Sequence, residues 1–313
     1  MSSDERRRAL RSDGFVILPG YLSGAALRPA LHELAEVFPT AAAFHDDLDP
    51  ARNEPLRDEF GGIVNFPFAS TELSLLSVHP KLIALSEELL ETRNVRVYSI
   101  EAWAKYTSAA TYEQSHHRDF LNHSLLVPSA DAPPTQVELF LYLGDVSPAL
   151  GPPSFVPLRH TLDHRALPNW LPRHEGADPD DRHPSWVSPE GHPSLYEHEV
   201  SAAGRAGTVV AYRIETFHRA TELVAPRGAR YTIHINFRRA DADWIGRRTW
   251  VSVANSRHWG SFVARASVRQ LETFGFPPPG HNYWTDATLT ETSRRYPGFD
   301  VAPWQVRPQG TAG

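Results

Sequence analysis

The stretch RYTIHINF, residues 230–237, constrains this chain more than any other. Arg230, Thr232, His234 and Asn236 alternate in it with Tyr231, Ile233, Ile235 and Phe237. Residues two apart share a face of a β-strand and neighbours lie on opposite faces. The stretch therefore predicts a strand with one polar and one apolar side. QVELFLYL shows the same period, with Val137, Leu139, Leu141 and Leu143 on one face. VRVYSIEAWAKY from Val95 and GTVVAYRI from Gly207 are likewise short, β-branched and aromatic, with turn residues between the runs. An apolar face opposite a polar one suits a β-sandwich whose bore holds polar chemistry.

The flanks read differently. Phe15–Leu18 reads as a strand, followed by a helix capped by Ser23 with Leu27, Leu31, Leu34 and Val37 on one face. HPKLIALSEELLE reads as a helix with Pro80 in its first turn. SVRQLETFGF reads as a short helix, with Ser267 and Gln270 at capping-box spacing and Gly275 as its stop, and FPPPGHNYWT as rigid extended chain. Residues 161–198 are rich in Pro, His and Asp and have no period, which suggests a lid. No repeat or linker divides the 313 residues, so a single domain is expected. It comprises an N-terminal strand and helices over 1–94, a β core over 95–240 with the lid-like loop, and a C-terminal extension over 241–313.

Bulk composition removes several classes. A net charge of −6 offers no basic field for nucleic acid. The absence of cysteine excludes disulfides, thiolate nucleophiles, zinc–cysteine sites and iron–sulfur clusters, and suits a reducing cytoplasm. MSSDERRRALRSDG lacks the apolar segment of a secretory signal, and no apolar run reaches the roughly 18 residues of a membrane span. A cytoplasmic protein that contacts neither membrane nor nucleic acid is expected.

Chemistry concentrates in QSHHRDFLNH, residues 114–123. His117-Arg118-Asp119 spells the HRD of a kinase catalytic loop, but Ser124 stands where that loop needs a magnesium-binding Asn. No Gly-rich nucleotide loop precedes it and no Asp-Phe-Gly follows. Read instead as an extended H-x-D, His117 and Asp119 point the same way and can hold one ion. The third ligand is expected from a neighbouring strand, as His218 at the end of the strand beginning at Thr208. Two imidazoles and one carboxylate, with the remaining positions open, form the facial triad of non-heme Fe(II) oxygenases. Arg230 follows His218 by twelve residues, across a segment that can turn back as a hairpin. It can grip a distal carboxylate bidentately. A 2-oxo acid carrying such a carboxylate is 2-oxoglutarate. Singly these residues have ordinary structural readings; the ordered set carries the inference. His116 is an alternative ligand, but it points to the strand face opposite Asp119, so His117 is preferred.

The sequence resembles the phytanoyl-CoA dioxygenase family of Fe(II)/2-oxoglutarate oxygenases, bacterial members in particular. The likeness runs through DGFVILPGYLSGAALRPAL, QSHHRDFLNHSLLVP, LYLGDVSPALGPPSFVPLRHT, HRATELVAPRGARYTIHINFR, FGFPPPGHNYWT and RRYPGFD. It implies a mainly β fold with flanking helices around a double-stranded β-helix (jelly-roll, cupin-like) core. It implies His117, Asp119 and His218 as iron ligands, with Arg230 on the 5-carboxylate of 2-oxoglutarate. Members often carry Gly-Ser before the His of the Val-Pro element, where this chain has Leu158-Arg159-His160. They often place a small hydroxyl after the distal His; the nearest here is Thr221. Lys105 offers a second positive charge, against an alternative reading as a solubility lysine on an edge strand.

The resemblance further implies decarboxylation of 2-oxoglutarate to succinate and CO2 with O2, coupled to oxidation, most simply hydroxylation, of a C–H bond. Halogenating relatives carry a small residue where this chain has Asp119, so a halide position is not expected. The expected substrate is a small metabolite or natural-product intermediate, since no basic cluster presents itself for the phosphates of a coenzyme A ester. Trp103, Phe140, Trp170 and Trp186 are candidates for an apolar lining. The rivals are a jelly-roll metalloenzyme that does not use 2-oxoglutarate and a non-catalytic jelly-roll binding protein. No protein partner is legible.

Overall fold

A computed structural model describes residues 1–110, 112–119, 123–126, 128, 133–162, 188–189 and 191–305. Nine strands form among them: β1 (Phe15–Leu18), β2 (Ile63–Asn65), β3 (Val95–Tyr106), β4 (Gln136–Tyr142), β5 (Ser154–Phe155), β6 (Val200–Ser201), β7 (Val209–Tyr212), β8 (His218–Arg219) and β9 (Ala229–Arg239). Six make one antiparallel sheet in the order β1-β7-β4-β9-β3-β2, and three make a second in the order β6-β5-β8.

The period-two reading of 230–237 and 136–143 holds. Ile233, Ile235 and Phe237 join Val137, Leu139, Leu141 and Leu143 in the main core, beneath helices that contribute Leu27, Leu73, Leu82, Leu85 and Phe262. The opposite face of the large sheet looks toward the small one. There Phe155 of β5 packs with Phe15, Phe140 and Tyr212. Strand pairing also settles which residues share this inner face: Lys105 lies opposite Arg230, Glu101 opposite His234, and Glu138 opposite both Asn236 and Tyr212.

Most local signals are realised. Ser23 caps the helix Gly24–Val37, Pro80 opens Pro80–Leu89, and Ser267 and Gln270 form a capping box on Val268–Thr273, after which Gly275 takes φ +101°. On the first of these helices the buried stripe runs through Leu27 and Ala30, and Leu31 is 38% exposed. The expected face therefore holds at Leu27, Leu34 and Val37, the last two partly buried against the core; Leu31 alone turns outward, and Ala30 is buried instead. After Phe276-Pro277-Pro278 the chain breaks into turns before the helix Asp286–Arg295, so the extended reading of 276–285 holds only at its start.

Of the lid-like stretch 161–198, residues 163–187 and 190 lie outside the described residues, and with them Trp170 and Trp186. Its far end forms the short helix Pro193–Glu197. Among the described residues no helix is long and apolar enough to cross a membrane.

Candidate metal centre and active site

His117 and His218 form an isolated antiparallel bridge. Each backbone N–H donates to the other's carbonyl, at 2.9 and 3.0 Å. The pairing sets the two imidazoles side by side, with ring centroids 4.5 Å apart. Two residues on, the Asp119 N–H donates to the Ile214 carbonyl, which turns its carboxylate toward the same point. His117, Asp119 and His218 thus present three ligand atoms that all lie within 4.8 Å of one another.

The route to this cluster differs from the sequence expectation in three respects. Asp119 sits in a turn, and the extended H-x-D is realised only as a bridge. His218 does not end the strand from Thr208: that strand stops at Tyr212 in the large sheet, and the chain crosses to the small sheet before His218. The segment after His218 makes no hairpin, because β8 pairs with β5 whereas β9 pairs with β3 and β4. The site is assembled between two sheets rather than along one.

The donor set fits a divalent metal. His117 Nδ1 lies 3.1 Å from the Ser115 carbonyl and His218 Nδ1 3.1 Å from the Thr216 carbonyl. A carbonyl only accepts, so each ring carries its neutral-state proton on Nδ1 and directs the Nε2 lone pair at the cluster. Nε2 of His117 is 3.8 Å and Nε2 of His218 3.3 Å from the Asp119 carboxylate. Burial, then the neighbouring His218, push the His117 imidazole down to about 4. Burial opposes ionisation of Asp119, but His218 and His117 outweigh it and hold the carboxyl well below its usual range. Burial likewise opposes charge on His218, and Asp119 overrides it to raise that group. His116 is placed elsewhere: buried, with Nε2 3.1 Å from Glu199.

The second cluster is cationic. Arg230 and Lys105 lie directly opposite on β9 and β3, both more than 90% buried. Lys105 is therefore an interior residue, and the edge-strand alternative fails. The Arg230 guanidinium donates to the Leu150 carbonyl at 3.3 Å, and the Lys105 ammonium stands 4.5 Å from the Tyr112 ring centre. Among the described residues neither is in an ion pair with a carboxylate. Burial, then Arg230, bring Lys105 down to about 7, and burial brings Arg230 to about 10. His234 lies between the clusters, stacked on Trp103 at 4.3 Å and against Phe140 at 3.9 Å. Burial and then Arg230 hold it well below its usual value, against the pull of Asp119. Thr221 donates its hydroxyl proton to the Pro152 carbonyl at 2.6 Å.

Sequence reasoning missed a buried polar network behind Asp119. The Tyr212 hydroxyl lies 3.1 Å from Asp119 and 2.6 Å from Glu138. Glu138 lies 3.0 Å from His123, whose Nδ1 meets the Tyr98 hydroxyl at 2.9 Å. The signal was available for Glu138, which alternates with the apolar set of 137–143. For Tyr98 it was not, because a bulge between Val97 and Ser99 adds a residue and re-aims that ring. At the far side of the bore Glu101 accepts from Trp103 and pairs with Arg247 and Arg248.

With this geometry in place, comparison with known proteins is specific. The family model of phytanoyl-CoA dioxygenase (PhyH) matches residues 10–229, more than two thirds of the chain, and spans all three triad residues and Lys105 but stops one residue before Arg230. No curated protein sequence matches the chain. Among solved structures, the epimerase SnoN in complex with Fe3+, alpha ketoglutarate and nogalamycin RO is 20% identical at a TM-score of 0.51, over 76% of this chain and 84% of that one. The non-heme alpha ketoglutarate dependent carbocyclase SnoK from nogalamycin biosynthesis is 21% identical at 0.53, over 77% and 87%. EctD from S. alaskensis, solved with 2-oxoglutarate and 5-hydroxyectoine, is 14% identical at 0.53, over 77% of each. At these identities the likeness is one of fold.

Proposed function

The chain belongs to the phytanoyl-CoA dioxygenase family, and so to the iron- and 2-oxoglutarate-dependent oxygenases, and we propose that His117, Asp119 and His218 hold its iron while Arg230 and Lys105 hold the distal carboxylate of 2-oxoglutarate. In this reading the two sheets are the walls of a double-stranded β-helix within a single oxygenase domain. Bound there, iron with 2-oxoglutarate and O2 supplies the oxidation of a C–H bond, with release of succinate and CO2. Hydroxylation is the simplest outcome.

The observation that carries the co-substrate assignment is the Lys105–Arg230 pair: two buried cations, face to face, with no carboxylate paired to either among the described residues. Burying like charges together is costly unless an anion joins them. The family model spans Lys105 but stops short of Arg230, so the Arg230 half of this support lies outside the family match. Thr221 belongs to the same loop, but to donate to a carboxylate it has to release Pro152.

The chain's own side chains orient and enclose. Phe140, Phe155 and Tyr212 line the bore beside the triad and keep bulk water from it. Glu101, Ser99, Asn236 and Glu138 line the inner face beyond the triad, and their polarity supports a hydrogen-bonding metabolite or natural-product intermediate over a bare acyl chain. SnoK acts in nogalamycin biosynthesis, which is in keeping with that class.

The test is anaerobic titration of the Fe(II)-loaded protein with 2-oxoglutarate, watching for the weak visible charge-transfer band of a chelated keto acid. A band that is lost in His218→Ala supports the assignment. Iron binding without a band refutes use of 2-oxoglutarate and leaves a metalloenzyme of another kind.

A further inference from the structure

Asp119 is the one carboxylate of the triad, and a carboxylate has two oxygens. How it meets the metal depends on its orientation, so something must fix the carboxylate.

The structure supplies a group for this. The Tyr212 hydroxyl lies 3.1 Å from Asp119 Oδ2, which is also 3.3 Å from His218 Nε2, while Oδ1 is 3.8 Å from His117 Nε2. Tyr212 is 1% exposed, so water does not replace this contact. Its ring is fixed on three sides, by Phe140 and Phe155 at 5.1 Å each and by His218 at 4.9 Å. Its hydroxyl is anchored from behind by Glu138 Oε2 at 2.6 Å. Glu138 is held in turn by His123 Nδ1 at 3.0 Å and by the Gln136 side-chain amide at 2.9 Å. The groups behind the hydroxyl, Glu138, Gln136 and His123, are none of the three ligands; Glu138 and Gln136 belong to β4 of the large sheet and His123 follows Asp119 in the chain. The phenol has one proton and two carboxylate acceptors within reach, Glu138 at the shorter distance and Asp119 at the longer.

We propose that Tyr212, anchored on the buried Glu138–His123 pair, is a positioning residue for Asp119: by engaging Oδ2, the oxygen nearest His218, it fixes the orientation in which the carboxylate is offered to the metal. The inference rests on the triad holding iron. It goes beyond it by assigning the large sheet, through Tyr212 and Glu138, the task of orienting the carboxylate ligand. Partners of this kind typically change metal affinity about 10- to 100-fold when removed.

The experiment compares full-length Tyr212→Phe with wild type and with Tyr142→Phe. Tyr142 is an equally buried tyrosine of the same aromatic cluster whose hydroxyl donates to the Ala202 carbonyl and not to Asp119. Co(II) and Fe(II) affinities are measured by calorimetry, and the 2-oxoglutarate band by anaerobic titration. Tyr212→Phe is expected to weaken metal binding by about 10- to 100-fold and to shift or diminish the band, with Tyr142→Phe close to wild type in metal affinity. A folded Tyr212→Phe with unchanged affinity and an unchanged band overturns the proposal, as does an equal loss of metal affinity in Tyr142→Phe. If Tyr212→Phe does not fold, Glu138→Gln decides: it keeps an acceptor for the phenol but removes the anchoring charge, and an unshifted band there also overturns it. A wild type that binds metal without giving a band sinks the co-substrate reading alone, and the Co(II) comparison still tests Tyr212.

Discussion

Lys105 and Arg230 stand directly opposite one another on neighbouring strands, both pointing into the bore and neither paired with a carboxylate among the described residues. Loss of Arg230 should therefore act on co-substrate binding before anything else. Truncating one partner of a buried charge pair typically costs about 2–5 kcal/mol. Arg230→Ala is expected to weaken 2-oxoglutarate binding by a factor on the order of 10² or more while Fe(II) affinity stays near wild type. Calorimetry with each ligand separates the two; equal losses in both would show that Arg230 acts through the fold.

The same pair predicts a pH dependence. An unfolded lysine holds its proton to about 10.5, whereas Lys105 in the ligand-free fold releases it above about 7, because of burial and then Arg230. Between those values the unfolded state binds more protons, so this group's contribution to stability rises with pH across that window. A bound carboxylate draws the proton back. Binding of 2-oxoglutarate at pH 8 should thus take up a proton, and affinity should fall as pH rises above about 7. Calorimetry in two buffers of different ionisation enthalpy measures the uptake. It should vanish in Lys105→Met, and its absence from wild type would remove Lys105 from the co-substrate site.

Adjacent histidines give a sharper contrast. His117 faces the triad, and His116 lies against Glu199, which also takes two bonds from Arg219. His117→Ala should abolish stoichiometric Fe(II) binding. His116→Gln should retain it, at a stability loss of about 1–3 kcal/mol for a disturbed buried polar group. Metal content after gel filtration, together with a thermal melt, distinguishes them, and loss of iron from His116→Gln alone would reverse the ligand assignment.

What was legible in the sequence was local. Alternation in 230–237 placed Ile233 and Ile235 in the core and Arg230 and His234 in the bore, because a period of two needs no knowledge of the partner strand. Helix caps at Ser23 and Ser267 were legible for the same reason. The path between His218 and Arg230 was not, since which sheet a two-residue strand joins is decided by distant partners, here Phe155 for His218 and Lys105 for Arg230. Burial of Lys105 ran against the usual exposure of lysine. The Tyr212–Glu138–His123 network escaped because nothing local ties its members together: Tyr212 and Glu138 meet only through strand pairing, and His123 lies in the histidine-rich stretch but outside the triad.

Phe155 is where fold and site meet, and its removal should be felt in both. It is fully buried on the small sheet, stacked on Phe15 at 5.2 Å and packed on Tyr212 at 5.1 Å from the large sheet, with the His218 ring parallel to it at 5.6 Å. A buried Phe→Ala change typically costs about 3–5 kcal/mol. Phe262, also fully buried, lies instead in the helical layer against Phe66 and Trp259 and touches no part of the triad. Phe155→Ala and Phe262→Ala should therefore lose comparable stability in denaturant titrations of the metal-free protein. Only Phe155→Ala should also weaken Fe(II) binding under conditions where both variants remain folded, because only there does the lost ring support a ligand imidazole. Phe155→Leu, which keeps an apolar link between the sheets but not the ring stack, should recover most of the stability and less of the metal affinity. If Phe262→Ala impairs iron binding as strongly as Phe155→Ala does, the site senses global stability, and the small sheet has no separate part in holding His218.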